Sequence, residues 1–514
     1  MNTPIPIIDI FAGPGGLGEG FSAARSKDGK PLFKIRLSIE MDDHAHKTLE
    51  LRAFYRQFAE QKIPFEYYEY LRGKIKREEL FSKYTREYEV AQKEAWQVEL
   101  GKKNRDVVKK RIGEALKGVS NWVLIGGPPC QAYSLVGRSR IRGQNKRKYR
   151  EDHRHHLYKE YLQILADHQP PVFVMENVKG LLSSKRIKTE STFDLIIADL
   201  KQPNNVRRIN SKEPLSYKLF SLSIKQSDEA EDLAPNNYII RSEEYGVPQA
   251  RHRVIIFGIR SDIYKFAPEP LDKEPHKVFI NDVIGDLPRL RSGLSKESDS
   301  SEEWGSAIKS IIQAKWLDGS TVSTKLKRAI IEEAKKIDGN LSRGVAFVPS
   351  EQKPRFEWFV DNSLNGICNH ETRSHIREDL HRYFFAAVFA KLFGRSPTLT
   401  DFPPELLPKH ENVQEALVGS KFNDRFRVQI SGRPSTTVVS HISKDGHYYI
   451  HYDPSQCRSL TVREAARLQT FPDNYFFEGN RTQQYHQVGN AVPPLLANKI
   501  AAVVYKVMQN SKKG

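Results

Sequence analysis

Short apolar runs recur along this chain, and they constrain its fold more than any other feature of the sequence. They predict strands at Pro6–Ile10, Trp122–Ile125, Val172–Met175 and Val254–Ile259, and a further strand is predicted at Lys34–Ile39. A compact apolar run is typical of a strand that is covered on both faces. Helical stretches separate the runs, so the sequence predicts an α/β fold, a parallel sheet with helices on both faces. In such sheets ligands bind at the carboxyl ends of the strands.

The bulk composition narrows the class of protein. At 514 residues the chain is too long for one ordinary core and predicts two or three domains. Hydrophobic residues make up 39%, with no apolar run near the roughly 20 residues that span a bilayer. The N-terminus lacks the features of a signal peptide, and three cysteines cannot build a disulfide framework. We therefore expect a soluble protein in a reducing, cytoplasmic compartment, without a membrane partner.

Basic residues outnumber acidic ones. Lys and Arg total 81 and Asp and Glu total 63, which gives a formal net charge of +18. An excess of this size favours polyanionic partners, because neutralising phosphates releases their condensed counterions. A well-solvated basic surface explains the same numbers, so the charge by itself leaves nucleic-acid binding open.

Two stretches interrupt the pattern of strands. Residues 50–118 are helix-like, rich in charged and aromatic residues and free of chemical motifs, which predicts an inserted helical hairpin with a solvated face. Residues 261–430 combine a Ser/Glu-rich linker, Ser292–Glu303, with an amphipathic helix, Lys325–Ile337. This second stretch is predicted to be a separate domain, set between two parts of the first.

The first strand runs into a glycine-rich turn, Phe11–Gly18. Glycines allow a ligand to approach the backbone closely, and the start of the following helix presents free amide groups. Glu40, at the end of the second strand, suits a ribose with two free hydroxyls. Many nucleotide-binding enzymes share both features, dinucleotide dehydrogenases among them, so the cofactor stays open at this point.

A cysteine follows the third predicted strand. Gly126–Ser134 has the sequence Gly-Gly-Pro-Pro-Cys-Gln-Ala-Tyr-Ser, so Cys130 is expected to project from the active edge of the sheet. A free cysteine is more often a small buried hydrophobe. Two glycines and two prolines, however, make a rigid turn that is ill suited to filling a core and well suited to a fixed nucleophile. An unperturbed thiol has a pKa of about 8.5, so nearby positive charge would raise its thiolate fraction at neutral pH.

Acidic and basic side chains are predicted at the same edge. Glu176 follows directly on an apolar run, a position that favours a functional acid over a surface or capping glutamate. Gln249, Arg251 and Arg253 lead into the strand Val254–Ile259. Strand alternation predicts these three side chains on one side, with two guanidinium groups pointing together. A salt-bridged sheet edge is the alternative interpretation.

Six segments, in this order, resemble the motifs of the cytosine-5 DNA methyltransferase family. They are Asp9–Gly16, Pro128–Gln131, Glu176–Val178, Gln249–Arg253, Arg463–Pro472 and Gln487–Pro494. The long gap between the fourth and the fifth is where the family keeps its target-recognition domain. The resemblance implies a Rossmann-like, S-adenosylmethionine-dependent sheet in residues 1–260, with the insertion at about 50–118. It also implies a target-recognition domain at 261–481, which includes the Arg463–Pro472 motif, and a C-terminal segment, 482–514, that returns to the catalytic domain.

By this resemblance the chain methylates carbon 5 of a cytosine that is flipped out of a specific duplex DNA sequence. Cys130 supplies a thiolate that adds to carbon 6, and Glu176 hydrogen-bonds ring nitrogen 3. Arg253 reaches the carbonyl oxygen of the base, and Arg251 lies close by. The sequence does not identify the base that removes the proton from carbon 5.

The resemblance also implies the binding residues. For S-adenosylmethionine they are Phe11, Gly13, Gly15, Gly16, Glu40, Asn490 and Val492. For DNA they are Gln131, Ser134, Arg138, Arg140, Arg142 and Gln249. Several of the DNA-binding residues belong to a segment, Arg138–Arg150, that carries seven Lys or Arg and no acid. The family usually has an aspartate after the third strand that contacts adenine, and the insertion hides its counterpart here.

The natural role by resemblance is that of the modification enzyme of a restriction-modification system. Its partners would be double-stranded DNA and a restriction endonuclease that acts on the same site, and we expect a monomer.

Three alternative functions compete with this one. A tRNA cytosine-5 methyltransferase shares the catalytic motifs, but the large intervening region favours DNA, since base-edge contacts require such a domain. A catalytically inactive DNA-binding subunit would not need an intact nucleophile, acid and arginine pair. An NAD dehydrogenase would leave the Pro-Pro-Cys segment unexplained.

A cluster of metal-binding residue types raises the question of zinc. Cys368, His370, His375 and His381 lie close together in sequence, but their spacing matches no common zinc finger. On an amphipathic helix predicted at 373–394, His375 and His381 would not share a face. No metal cofactor is therefore expected.

Overall fold

The computed structural model describes most of the chain in two compact units. The described residues are 3–59, 62–129, 157–183, 185–187, 190–207, 215–226, 233–319, 321–351, 354–409, 413, 417 and 423–511. Six predicted site residues lie outside them: Cys130, Gln131, Ser134, Arg138, Arg140 and Arg142. Unit 1 comprises Met1–Ile63, Lys83–His276 and Ala491–Gly514, and unit 2 comprises Pro64–Ser82 and Lys277–Asn490. Two of the divisions between the units fall after residues 276 and 490. The sequence analysis placed its domain boundaries after residues 260 and 481, and the domains that it predicted stay a prediction.

The strands are short, as the apolar runs predicted. In the described residues they are β1 (Ile5–Ile10), β2 (Phe33–Glu40), β3 (Ala95–Gln97), β4 (Val123–Gly126), β5 (Val172–Val178), β6 (Lys185–Ile187), β7 (Glu190–Ser191), β8 (Tyr217–Phe220), β9 (Ile239–Arg241), β10 (Gln249–Ala250), β11 (His252–Arg260), β12 (Gly293–Leu294), β13 (Gly344–Pro349), β14 (Gly366–Glu371), β15 (Ser374–His375) and β16 (Ser435–Thr436).

Helices connect or follow many of these strands in the described residues. They are α1 (Gly16–Ser22), α2 (Asp43–Tyr55), α3 (Phe65–Leu71), α4 (Arg77–Lys83), α5 (Thr85–Glu94), α6 (Arg105–Ala115), α7 (Leu157–His168), α8 (Thr192–Lys201), α9 (Ile280–Ile284), α10 (Ser301–Lys309), α11 (Thr324–Lys335), α12 (Arg377–Phe393), α13 (Val462–Leu468), α14 (Arg481–Asn490) and α15 (Pro494–Ser511).

Unit 1 is built on one mixed sheet. Its strands run in the order β3-β2-β1-β4-β5-β11-β8, and β9 also pairs with β11. Pairing is parallel from β3 to β5, but β11 is antiparallel to β5, β8 and β9. The α/β fold class is confirmed, whereas the prediction of a wholly parallel sheet was wrong for β11. A strand that is covered on both faces is apolar in either direction, so its composition does not reveal the direction.

The central strand β1 shows how the two faces of the sheet are covered. All six of its residues are buried. Ile7 belongs to an apolar cluster that includes Leu496 and Ile500 of α15, and the next residue, Ile8, belongs to a second cluster with Tyr161 and Leu165 of α7. Because alternate side chains point to opposite faces, the sheet carries helices on both sides. Its strand order reverses at β1, which has β2 on one side and β4 on the other.

The predicted helical hairpin at about 50–118 was wrong. This stretch contains several helices and one strand, β3, which pairs in parallel with β2 at the edge of the sheet. Its middle part, Pro64–Ser82, belongs to unit 2. There Tyr68 donates a hydrogen bond to Asp361 (2.9 Å) and Tyr70 to Glu478 (2.6 Å). These partners are about 300 and 400 residues away in sequence, so no local pattern could have predicted them.

The structure of unit 2 contradicts two further predictions and confirms a third. The helix expected at 373–394 is α12, Arg377–Phe393, and nearly its whole central part is buried, so it is a core helix and not an amphipathic one. The expected linker Ser292–Glu303 contains β12 and the start of α10, whose Trp304 is fully buried. The amphipathic helix expected at Lys325–Ile337 is confirmed as α11, which buries Leu326, Ile330 and Ala334 along one face.

Among the described residues, one stretch passes a test for a membrane span. Arg481–Asn510 is long and apolar enough by length and composition, and 67% of its apolar window is buried inside the protein. A buried core helix passes the same test, so the finding is weak evidence for a span.

Candidate active site

The turn that follows β1 has an unusual backbone. Phe11, Gly13 and Gly15 have φ angles of +55°, +58° and +92°. This left-handed region is easily reached by glycine and is strained for phenylalanine. A Cβ atom added to Gly13 would meet no described atom within 4 Å, so the space in front of this glycine is open. Strained turns of this kind persist where the surrounding structure enforces them, and they cluster at ligand sites.

Gly16 serves a different purpose in the structure. A Cβ atom at this position would lie 2.1 Å from the carbonyl oxygen of Val492, which is far inside van der Waals contact. The bare backbone of Gly16 thus allows the chain just before α15 to lie directly against the start of α1. Both Gly16 and Val492 were predicted to bind the cofactor. In the structure they contact each other beside the turn, and their roles toward a cofactor stay a prediction.

Glu40 ends β2 next to the same turn. Its carboxylate accepts hydrogen bonds from the backbone amides of Gly13 (2.7 Å), Met41 (2.9 Å) and Asp42 (2.8 Å). Burial raises the pKa of Glu40, and these three amides act in the opposite direction. A carboxylate has about four lone-pair positions, so one acceptor position remains for a ligand hydroxyl. The fixed carboxylate and the open, strained turn fit the ribose and the adjoining part of S-adenosylmethionine.

A buried acid lies behind this turn that the sequence analysis did not assign. Asp9 of β1 is fully buried, and loss of solvation raises its pKa to about 8, against the positive charge of Arg56. A Cβ atom on Gly18 of α1 would lie 2.9 Å from its carboxylate. Asp9 is therefore largely protonated at neutral pH. An acidic residue inside an otherwise apolar strand, Ile5–Ile10, was the signal in the sequence.

The antiparallel direction of β11 brings the predicted acid and arginine together. Arg253 is paired with Val178, and Ile255 with Glu176, so the start of β11 lies beside the end of β5. Glu176 and Arg253 are thus diagonal neighbours on one face of the ladder. The Arg253 Nε atom lies 2.8 Å from Glu176 Oε1, and both side chains are largely buried. Burial lowers the pKa of Arg253, and the Glu176 carboxylate raises it again.

Two glycines allow the chain after β4 to approach this ion pair. A Cβ atom on Gly126 would lie 2.4 Å from the carbonyl oxygen of Ile10, and one on Gly127 would lie 2.8 Å from Glu176 Oε2. The chain continues through Pro128 and Pro129 toward Cys130, which lies outside the described residues. Gly127 was not among the predicted site residues. Its position directly before the Pro-Pro-Cys segment was the available signal.

Gln249, Arg251 and Arg253 do not lie on the single strand that the alternation argument assumed. Strand β10 ends at Ala250 and β11 begins at His252, so Arg251 belongs to neither strand. Gln249 and Arg251 are both buried, at 0% and 1% exposure. The continuous strand that the alternation argument required is therefore absent, and three side chains on one side stay a prediction. A base contact by Arg251 and a DNA contact by Gln249 stay predictions.

The C-terminal motifs of the resemblance lie mainly in unit 2. Asn490, predicted to bind the cofactor, is the exposed last residue of α14, and its Nδ2 atom lies 3.3 Å from His486 Nδ1. The Arg463–Pro472 motif comprises most of α13 and the four residues after it, and all of it except Pro472 is buried. Arg467 donates hydrogen bonds to Asp286 (2.8 Å) and Asp473 (2.7 Å). Arg463 donates to three backbone carbonyl oxygens, among them that of Cys368. Within the described part of unit 2, these buried arginines therefore connect segments that are distant in sequence and stabilise their packing.

The cysteine and histidines considered for zinc have separate surroundings. His370 bonds Thr461 Oγ1 (2.9 Å) and the Pro288 carbonyl (3.0 Å), and His381 bonds the Ala307 carbonyl (2.9 Å). His375 precedes α12 and lies in β15. Over the stretches that the structure describes, no group of three or more His, Cys, Asp or Glu side chains is arranged to hold a metal ion.

The comparisons with known proteins agree with the motifs. The C-5 cytosine-specific DNA methylase family model matches residues 84–506. Type II methyltransferase M.Bpa9945I of Bacillus paralicheniformis is 33% identical over 525 residues, which cover 98% of this chain and 99% of the relative. DNA (cytosine-5-)-methyltransferase M.ApeKI of Aeropyrum pernix is 29% identical, with 76% of this chain and 83% of the relative covered. Among solved structures, the Entamoeba histolytica methyltransferase EhMeth aligns over 98% of this chain and 99% of its own, with 14% identity and a TM-score of 0.38.

The family match covers most of the chain, and the Bacillus paralicheniformis relative shares one third of its residues along nearly the full length. The chain belongs to the C-5 cytosine-specific DNA methylase family.

Proposed function

We propose that this DNA (cytosine-5-)-methyltransferase acts through a covalent Cys130 intermediate on a cytosine flipped out of duplex DNA. The observation that carries the proposal is the buried Glu176–Arg253 ion pair. It lies at the sheet edge where β4 ends, with Gly127 against the Glu176 carboxylate and Cys130 three residues further along the chain. A cytosine ring that reached this edge would find an acid, a cation and a thiol.

The chemistry follows from the weakness of carbon 5 as a nucleophile. The Cys130 thiolate forms a bond to carbon 6, and the displaced electron pair gives carbon 5 enamine character. Glu176 hydrogen-bonds ring nitrogen 3 through a proton that its carboxyl group carries for this step, and Arg253 donates a hydrogen bond to the base carbonyl, so both counter the negative charge that develops during addition. After methyl transfer a base removes the carbon 5 proton, and the bond between Cys130 and carbon 6 breaks.

The ion pair prepares this site before the substrate arrives. Arg253 is nearly enclosed, and Glu176 fixes its guanidinium at 2.8 Å. A donor that is already oriented and desolvated needs no reorganisation when charge appears on the base. Its positive charge would also raise the thiolate fraction of a nearby cysteine.

S-adenosylmethionine supplies the methyl group when it is bound, as the family implies. We propose that Glu40 accepts hydrogen bonds from the ribose hydroxyls, and that Phe11, Gly13 and Gly15 form the turn around the cofactor. The structure also identifies the third strand that the insertion had hidden, β3, which ends at Gln97. The first acid after it is Glu99, which is exposed. Glu99 is therefore the residue that we propose for the adenine contact.

The remaining proposals concern DNA. Flipping the cytosine costs a few kcal/mol of stacking and pairing energy, which contacts to the surrounding DNA must offset. Unit 2 is proposed as the target-recognition domain, and the basic segment Arg138–Arg150 as a phosphate contact. By analogy with its type II relatives, the protein would act as a monomeric modification enzyme in the cytoplasm, paired with a restriction endonuclease of the same specificity.

One experiment tests the substrate and the covalent step together. Transfer of labelled methyl groups from S-adenosylmethionine is measured on duplex DNA and on tRNA, for the wild type and for Cys130→Ser. We expect transfer to duplex DNA by the wild type, and none by Cys130→Ser, which should still bind DNA. A duplex with 5-fluorocytosine should form a covalent adduct with the wild type alone. Transfer to tRNA alone, or turnover by Cys130→Ser, would contradict the proposal.

A second experiment tests the arginine. Arg253→Lys keeps the positive charge but loses the planar guanidinium, so we expect kcat to fall by about 10²–10³-fold. Arg260 lies at the opposite end of the same strand and pairs with the exposed Asp262 at 2.7 Å. Arg260→Lys is the matched control and should keep kcat within about twofold. Equal kcat values for the two variants would remove Arg253 from the mechanism.

A further inference from the structure

Unit 2 contains a polar cavity that the mechanism does not use. Its volume is about 350 Å³, and all its lining residues lie between Ser295 and Tyr485. Three basic side chains line it, Arg373, Lys444 and Arg481, together with hydroxyl groups that include those of Ser374, Ser443 and Thr482. Cationic donors and hydroxyls around one space are the groups that proteins use to hold phosphate.

Arg373 is fixed in the wall of this cavity. It is 8% exposed and donates hydrogen bonds to the backbone carbonyls of Ile442 (2.7 Å) and Lys444 (3.1 Å). Its guanidinium carbon lies 4.3 Å from the centre of the Tyr485 ring. Within the described chain its Nε atom is buried without a hydrogen-bond partner, and no carboxylate lies within ion-pair distance of the guanidinium. The cavity wall therefore carries a positive charge that is not ion-paired with any acid among the described residues.

The other two basic side chains are also available to an anion. Lys444 is exposed, and its ammonium group forms no ion pair with any described residue. Arg481 donates to the Thr372 carbonyl (2.7 Å), and its nearest acid, Glu371, is 3.4 Å away and half exposed. Solvent weakens a pair of this kind, so most of the Arg481 charge remains effective.

Two acids line the cavity as well, and both have other partners. Asp379 accepts a hydrogen bond from Arg382 (2.6 Å). Asp445 accepts one from the His447 amide (3.0 Å) and lies 3.9 Å from Arg425.

A buried histidine lies beside two of these arginines in the cavity wall. Burial lowers the pKa of His375 well below its usual value, and the positive charges of Arg373 and Arg481 lower it further. His375 is therefore neutral at neutral pH and adds no charge of its own to the cavity.

We propose that this cavity binds a phosphate group, and that in the enzyme–DNA complex the group is a phosphodiester of the DNA backbone. The inference rests on the proposed DNA substrate and adds a specific backbone contact within unit 2. Such a contact positions the protein on the duplex and carries no sequence information. Each neutralised phosphate releases counterions, so the contact must appear in the salt dependence of DNA binding.

The test removes two charges from the rim and leaves the buried Arg373 intact. The variant is Lys444→Gln with Arg481→Gln. Its matched control, Lys325→Gln with Arg328→Gln, removes the same charge from exposed positions of α11 in the same unit. Dissociation constants of both variants and of the wild type are measured over a range of salt concentrations, with several unrelated duplexes. Thermal melting confirms that both variants are folded.

We expect the cavity variant to bind every duplex about tenfold more weakly at low salt. The slope of log Kd against log salt should fall by about 0.9 for one lost phosphate contact. The control should keep the slope of the wild type. Lys444→Arg with Arg481→Lys keeps both charges and should restore it.

Several outcomes would overturn the inference. A cavity variant with the slope and affinity of the control would exclude a backbone contact. A change of preference among duplexes would indicate base contacts instead. Calorimetry with inorganic phosphate separates the two sources of the ligand: tight phosphate binding that the variant loses, with unchanged DNA binding, would assign the cavity to a free anion. If the wild type neither binds nor methylates duplex DNA, both the proposed function and this inference are wrong. If the wild type methylates DNA normally and the cavity variant behaves like the control, only this inference is wrong.

Discussion

The packing of α1 against α15 allows a sharp prediction about Gly20. A Cβ atom at this position would lie 2.3 Å from the Pro494 carbonyl oxygen, 2.4 Å from Ala497 Cβ and 2.6 Å from the Asn498 amide nitrogen. Two of these are backbone atoms, which cannot rotate out of the way. Gly20→Ala must therefore push the two helices apart by about 1 Å, since carbon atoms pack at about 3.5–4 Å.

The cost follows from three contributions. Overpacking of this kind costs about 1–3 kcal/mol. Separation of the helices also strains the hydrogen bond from Asn498 Nδ2 to the Gly20 carbonyl (3.0 Å), which contributes about 1 kcal/mol. The better helix propensity of alanine offsets about 1 kcal/mol. We expect a net loss of about 2 kcal/mol in the free energy of unfolding, or about 3 °C in Tm for a unit of this size.

A second glycine gives the matched control. Gly113 lies in α6, it is exposed, and a Cβ atom there would meet no described atom within 4 Å. Gly113→Ala should therefore gain about 0.5–1 kcal/mol from propensity alone. Thermal and urea unfolding of both variants measure the difference. If Gly20→Ala is as stable as Gly113→Ala, the two helices separate without cost and the reasoning is wrong.

Three further predictions concern buried charge. Glu464→Gln leaves the fully buried Arg458 without its bidentate partner (2.7 Å to each oxygen) and should cost about 3–5 kcal/mol in urea unfolding, whereas Glu332→Gln, from an exposed pair, should cost less than about 1. Burial lowers the pKa of His370 to about 4, so the contribution of His370 to stability should be lost as the pH drops from about 6.5 to 4, and the difference in unfolding free energy between the wild type and His370→Gln should follow that loss. The pKa of Asp9 is raised to about 8, so the folded state binds the extra proton and the contribution of Asp9 should be lost in the opposite direction, as the pH rises from about 4 to 8. Asp9→Asn should remove that contribution to the pH dependence, and an unchanged pH dependence would contradict it.

Much of the fold was predictable because its strands are local features. Each of the five predicted strands is present within about two residues at its start, since an apolar run of that length needs no information from elsewhere in the chain. The α/β class followed from the alternation of runs and helices. The strand β3 was missed, because Ala95–Gln97 is three residues long and partly exposed at the edge of the sheet.

The candidate site was predictable in its residue types but not in its geometry. Glu40 and Glu176 were identified by their positions at strand ends, and the structure has the first against the glycine turn and the second against Arg253. Gly127 was overlooked, and the break between β10 and β11 at Arg251 was not predicted. Both depend on how neighbouring strands approach one another, which a single segment does not encode.

The sequence by itself predicted the chemistry, from a cysteine that follows two prolines, an acid and an arginine next to apolar runs, and motifs in the order of one methyltransferase family. The tertiary structure alone decided the direction of β11, the membership of Pro64–Ser82 in unit 2 and the use of Gly16 for packing against Val492. The physical reason is the range of the interactions. Strand length and residue type are set within a few neighbours, whereas pairing direction and close packing depend on groups up to several hundred residues apart.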